Sequence, residues 1–185
     1  MSPLHKAGVT EAKIMPSIIL HYQEIALKGR NRPWFVQRLL SNIRAVTAGL
    51  DGVKVRALMG RIEVRHGHAE DWPELRERLS RVPGIANFSR AVSAPCDLEA
   101  IATVILGELD DTHVDTFRVT ARRADKRFPL TSPQIERELG GRIKAARGWR
   151  VDLERPELTV RVEFLADQAF YCLRKEPGTG GLPSG

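Results

Sequence analysis

Cysteine is scarce in this chain of 185 residues: only Cys96 and Cys172 occur, far apart, with no CxxC pair or Cys/His ligand spacing near either. Zinc and redox motifs are thereby excluded as readings, and two small side chains of the interior remain. No apolar run approaches the roughly 20 residues needed to cross a bilayer. Residues 1–15 also lack the apolar stretch of a secretory signal, so the chain is read as cytoplasmic, with no membrane partner. Nucleotide and nucleophile motifs are absent too. There is no GxxxxGKS/T, GxSxG or HExxH, and no GxGxxG joins a strand to a helix. The reading therefore assigns these residues no catalytic group, no metal and no cofactor. His66-Gly67-His68 has no carboxylate or cysteine companion at ligand spacing and is expected to be a loop with two exposed histidines.

Acidic residues are missing from 25–50, where Lys28, Arg30, Arg32, Arg38 and Arg44 stand unopposed. From Arg118 to Arg150 ten basic residues meet three acidic ones, within a chain whose formal charge is only +6. Positive charge concentrated in this way is the footprint of a polyanion ligand, although charge alone equally fits a solvated basic surface. With 42% hydrophobic and 28% charged residues the composition is that of a globular protein.

The length allows one domain or two small ones, and the pattern favours two. Residues 17–22 form a short apolar run read as a strand, and residues 1–16 are read as a flexible N-terminus. Asn31 offers an N-cap ahead of Pro33, and Phe35, Val36, Leu39, Ile43 and Val46 follow at helical spacing. Val53, Val55 and Ala57 alternate with polar residues, and the alternation resumes at Ile62 and Val64 after Met59-Gly60, which predicts a hairpin. Pro73 opens a helix that stops at Pro83-Gly84, before a strand over 85–92. The order is β-α-β-β-α-β, the split βαβ arrangement of ferredoxin-like folds, so the fold class is α+β.

The second half reads α-β-α-β-β. Asp97 caps a helix with Leu98, Ile101, Ile105 and Leu109 on one face. Phe117, Val119 and Ala121 alternate with Arg118, Thr120 and Arg122, so the strand buries one face and presents guanidinium groups on the other. Ser132-Pro133 begins a helix over 132–147, in which Gly140-Gly141 implies a close neighbour, at a cost of about 1 kcal/mol per glycine. Residues 158–164 and 169–173 form a last hairpin.

Arg122-Arg123 leave a strand, and Lys126-Arg127-Phe128 follow within a turn. Phosphates need such cations, and an exposed Phe128 would stack on an unpaired base. A Phe128 that instead plugs the core fits the sequence as well. The first turn of the helix at 132 adds free amides and a positive dipole end, with Arg142 and Lys144 further along. Lys28-Gly29-Arg30-Asn31-Arg32 is a second basic loop at a helix start. Either it holds a phosphate, or Gly29 simply turns the chain and Asn31 caps.

Specific residues then match a known family. Tyr22-Gln23-Glu24-Ile25-Ala26-Leu27-Lys28-Gly29-Arg30-Asn31-Arg32, Asn42-Ile43-Arg44, Pro83-Gly84-Ile85, the run 116–129, Val151-Asp152-Leu153 and Gly178-Thr179-Gly180-Gly181-Leu182-Pro183 resemble, in order, the N-terminal region of the tRNA 4-thiouridine synthetases, or tRNA sulfurtransferases. The resemblance implies a ferredoxin-like domain over 17–80 and a THUMP domain, an RNA-binding module that grips the tRNA acceptor end, over 81–176. Residues 177–185 would be a Gly/Pro linker toward a PP-loop domain that these residues do not include. For the whole protein it implies ATP and magnesium, a cysteine desulfurase as sulfur donor and a link to thiamine biosynthesis, with a homodimer left open. The RNA-binding set is Lys28, Arg30, Arg32, Arg122, Arg123, Lys126, Arg127, Phe128, Arg142 and Lys144. Two other functions stay open: a protein interaction module with a basic face, and a stand-alone RNA-modification subunit.

Overall fold

The computed structural model describes residues 16–183. Its element order is β1 (Pro16–His21), α1 (Arg32–Val46), β2 (Lys54–Leu58), β3 (Arg61–Arg65), α2 (Trp72–Ser80), β4 (Asn87–Pro95), α3 (Leu98–Glu108), β5 (Thr116–Arg123), α4 (Ser132–Arg147), β6 (Arg150–Val151), β7 (Leu158–Phe164), β8 (Gln168–Cys172) and β9 (Glu176–Pro177). Both expected series of strands and helices are present. The strands nevertheless join into one mixed sheet, ordered β2-β3-β1-β4-β8-β7-β5-β6, with β9 added beside β4.

Strand β4 makes this continuity possible. Its first half pairs with β1, and residues 92–95 pair with β8, so one strand belongs to both halves. Alternation along β4 points Phe88 into the core under α1 and α2 and Ala94 into the core under α3 and α4. Both helical layers therefore cover the same face of the sheet. Each half keeps its own core, one around Ile18, Leu39, Ile43, Ile62 and Phe88, the other around Phe117, Ile135, Leu139, Val160 and Phe164.

The opposite face carries no helix, yet Ser17, Arg61, Glu63 and Ser89 are buried there. Arg61 on β3 pairs with Glu163 on β7, and Arg56 Nη2 on β2 donates to Gln168 Oε1 on β8 at 3.2 Å. In a flat sheet β3 and β7 would lie about 19 Å apart, at about 4.8 Å per strand. The sheet therefore coils until its helix-free face closes on itself. Ile19, Ala91, Leu165 and Phe170 fill the crease as a third small cluster. Around them Glu63 accepts from Ser17 Oγ at 2.8 Å and Arg65 Nε at 3.0 Å, and it also pairs with Arg56.

Several local expectations are corrected. Asn31 makes no side-chain cap; two short 3₁₀ turns, at Glu24–Leu27 and Gly29–Asn31, lead into α1 instead. At Gly140 an added Cβ would sit 4.0 Å from Val119 Cγ2, and at Gly141 it would meet nothing within 4 Å, so no close neighbour explains that pair. His66 is buried, its Nδ1 2.7 Å from the His68 carbonyl oxygen, which it can reach only as a donor. The segment read as a linker is docked over its described part. Gly178 N donates to Ala86 O, Gly180 N to Ile85 O and Gly84 N to Gly180 O, while Leu182 joins the first core. The expected flexible N-terminus falls, apart from Pro16 in β1, outside the described residues.

Candidate nucleic-acid interface

Where the coiled sheet parts, the helix-free face opens into a cleft of about 630 Å³ between the two halves. The first half contributes His21, Leu27, Arg32 and Asn87, and the second contributes Thr120, Arg122, Arg161, Glu163 and Lys175. The placement follows from strand periodicity. Phe117 and Val119 face the helices, so Arg122 points to the helix-free side, where the parallel register sets it opposite Glu163 on β7. Arg161 lies two residues before Glu163 on the same strand, and its Nη1 donates to Leu173 O at 3.3 Å. Arg32, in the first turn of α1, lies over the Tyr22 ring at 6.0 Å. Four cations from both halves thus ring one opening.

The cleft floor differs from its rim. One oxygen of Glu163 is held by Arg61, whose side chain is only 4% exposed, while the other faces His21 Nε2 at 3.6 Å. Burial, more than the opposing pull of Glu163, pushes His21 below its usual 6.5; Arg61, Lys175 and Arg122 push the same way. The ring is therefore neutral at pH 7. Asn87 Oδ1 is buried and has no hydrogen-bond partner.

The residues expected to bind RNA do not form one path. Arg122 and Arg32 line the cleft, and Lys28 and Arg30 are exposed beside it, with the Lys28 ammonium 5.9 Å from the Phe35 ring centre. Arg123 is occupied: its Nη1 donates to Phe128 O at 3.2 Å and braces the turn that follows. Arg127 is paired with Asp125 at 2.6 Å, and this bond holds the Asp125 carboxyl below its usual range. Lys126 is exposed on the same turn. Phe128 is half-buried and packs against the second core, its ring centre 4.4 Å from that of Phe164, as the core alternative expects. Arg142 is bonded to Glu99 of α3, and with exposed Lys144 it belongs to the helical layer, across the sheet from Arg122. At the start of α4, Gln134 Oε1 accepts from both Thr131 N and Thr131 Oγ1 at 2.8 Å.

Two features escape sequence reading. Arg161 and Lys175 lie outside the dense basic segment, and the pairing of β5 with β7 and of β7 with β8 brings them beside Arg122. Leu27, 85% exposed at the cleft edge, and Trp34, 62% exposed on α1, are apolar groups set among the cations of the first half. Among the described residues no group of three metal-ligating side chains occurs. No described helix is long and apolar enough to cross a membrane.

A split βαβ domain and an αβαββ domain sharing one sheet, with a basic cleft at their junction, define a ferredoxin-like plus THUMP protein. Residues 17–89 match the ThiI ferredoxin-like domain and residues 97–173 the THUMP domain. The chain thus carries a ThiI ferredoxin-like domain followed by a THUMP domain, and the curated relatives it matches are named probable tRNA sulfurtransferases. A probable tRNA sulfurtransferase of Moorella thermoacetica is 42% identical over 170 residues, which cover 91% of this chain and 43% of that relative. The chain thus spans less than half the length of that relative. The crystal structure of PH1313 from Pyrococcus horikoshii Ot3 superposes with a TM-score of 0.80 at 32% identity, covering 92% of this chain and 58% of that one. A 4-thiouridine synthetase solved as an RNA complex with bound ATP superposes with a TM-score of 0.74 at 28% identity, over 92% and 44% of the two chains.

Proposed function

We propose that this chain is the tRNA-binding module of a tRNA sulfurtransferase, which holds the acceptor 3′ end in the cleft between its two domains and positions the tRNA for 4-thiouridine formation. The observation that carries the reading is the convergence of Arg32, Arg122, Arg161 and Lys175, from both domains, on one opening of the helix-free face. A cleft of that size takes an unpaired strand, whose phosphates bend toward the rim and whose bases enter. The neighbour solved with RNA supports a nucleic-acid ligand. For the whole protein we propose sulfur transfer by a PP-loop domain using ATP and magnesium, with a cysteine desulfurase as donor, a contribution to thiamine biosynthesis and a cytoplasmic setting. A homodimer remains compatible with this reading.

Binding of the 185-residue chain to a tRNA transcript, with and without its unpaired 3′ end, tests the proposal across a salt series. Intact tRNA is expected to bind with an affinity that falls steeply with salt, and the trimmed transcript to bind at least tenfold more weakly. Equal affinity for both transcripts, or equal affinity for an acidic protein, would refute it.

A further inference from the structure

The cleft presents a chemical contrast that phosphate binding does not explain. Its rim is cationic, but its floor offers two hydrogen-bond acceptors, Glu163 and Asn87. Glu163 Oε1 has only His21 at 3.6 Å, beyond hydrogen-bond reach, and Asn87 Oδ1 has no partner although it is buried. The carboxylate is fixed in place from behind, because Arg61 grips its other oxygen from β3. A phosphate seated against that floor would meet the Glu163 charge at close range. A group that donates hydrogen bonds would satisfy both acceptors instead.

A terminal ribose has that chemistry: its vicinal 2′- and 3′-hydroxyls are two adjacent donors, and the phosphate on its 5′ side reaches back toward the rim. Resting on the reading of the cleft as an RNA-end site, we propose that Glu163 and Asn87 receive the free hydroxyls of the 3′-terminal ribose while Arg122 and Lys175 hold the phosphate before it. The cleft would then select RNA ends that carry hydroxyls over ends that carry a phosphate. Glu163 acts here as a specificity determinant, and its pairing with Arg61 is what gives it a fixed position.

The test measures binding of the unmodified chain to one tRNA transcript prepared with three ends: a free 2′,3′-diol, a 3′-phosphate and a dideoxy terminus. A hydrogen bond to a charged group corresponds to about tenfold to a hundredfold in affinity, so the diol form is expected to bind at least tenfold more tightly than either other form. Glu163→Gln is expected to bring the phosphate form within about threefold of the diol form. Asn87→Ala leaves the Arg61 pairing intact and is expected to narrow the gap between the diol and dideoxy forms. Equal affinity of the unmodified chain for all three ends overturns the inference, and if that affinity stays salt-dependent the tRNA-binding reading stands. Failure to bind any of the three overturns both.

Discussion

Arg122 and Arg123 are neighbours in sequence with opposite jobs in the structure, and separating them is the sharpest test of the cleft. Arg122 is exposed on the helix-free face and lines the opening. Arg122→Ala therefore removes the phosphate contact proposed for it without touching either core. Stability is expected to stay within about 0.5 kcal/mol of the parent, and the slope of log affinity against log salt to fall by roughly 0.7 to 0.9. Arg123 instead donates to Phe128 O, and Phe128 leans on Phe164, a fully buried residue of the second core. Arg123→Ala loses one hydrogen bond from a charged donor and loosens that plug, at about 1–2 kcal/mol. In a domain pair of this size that lowers Tm by roughly 2–8 °C, while the salt slope stays as it was. Anisotropy titrations with tRNA at four salt concentrations, beside urea denaturation of each variant, read both effects. A changed salt slope for Arg123→Ala together with an unchanged one for Arg122→Ala would refute the assignment. The double variant tests neither, because it adds a stability loss to a binding loss.

Two further outcomes follow from other parts of the fold. An alanine at Gly178 would place its Cβ 2.2 Å from Ile85 O, a backbone atom that cannot yield cheaply; Gly178→Ala is expected to release the docked tail, seen as lost hydrogen-exchange protection at Gly178 and Gly180, and retained protection there would contradict the docking. Burial pushes the Glu63 carboxyl up, but bonds from Arg56, Ser17 and Arg65 outweigh it and leave the group below 4.5. A depressed carboxylate contributes stability that is present above its unfolded value and lost as pH falls through the folded one. Glu63→Gln should therefore be less stable than the parent at pH 7, with a gap that narrows as pH falls below about 4.5; a gap of constant width would refute the pairing.

The order of elements was legible because it rests on local periodicity. Val119 and Phe117 alternate with Arg118 and Thr120, and the β5 strand obeys; Asp97 precedes an apolar stripe, and its side chain accepts from Ala100 N at 2.8 Å. The glycines misled where a conformational requirement was inferred from composition alone: Gly141 has open space where a neighbour was expected, whereas Gly178, read as linker, has the closest approach among the described glycines. Charge density misled for a different reason. Clustering in sequence counts cations without their partners, and Arg127 and Arg142 are held by Asp125 and Glu99. Asp125 was visible two residues away, but the Glu99 pairing spans 43 positions and arises only when α3 packs beside α4.

The binding cleft itself is a property of sheet curvature, which no local pattern encodes. Strands β3 and β7 meet through Arg61 and Glu163, 102 residues apart, because β4 serves both halves and the sheet coils around Ile19, Ala91, Leu165 and Phe170. Each of those four is apolar on a face that a flat, solvent-facing sheet would leave polar. Ile19 and Ala91 come from the first half and Leu165 and Phe170 from the second, so burying them draws the halves together. The ion pairs around the crease then fix the angle: a buried pair contributes little net stability but is costly to break, since the partner left behind is a buried unpaired charge. Arg61 and Glu163 therefore suit the setting of an angle better than the holding of a fold. That angle decides whether Arg32 and Arg122 face the same ligand. Binding in the proposed arrangement thus depends on residues that touch no RNA, and the separation between Arg32 and the cations of the second half is set at the crease, not at the rim.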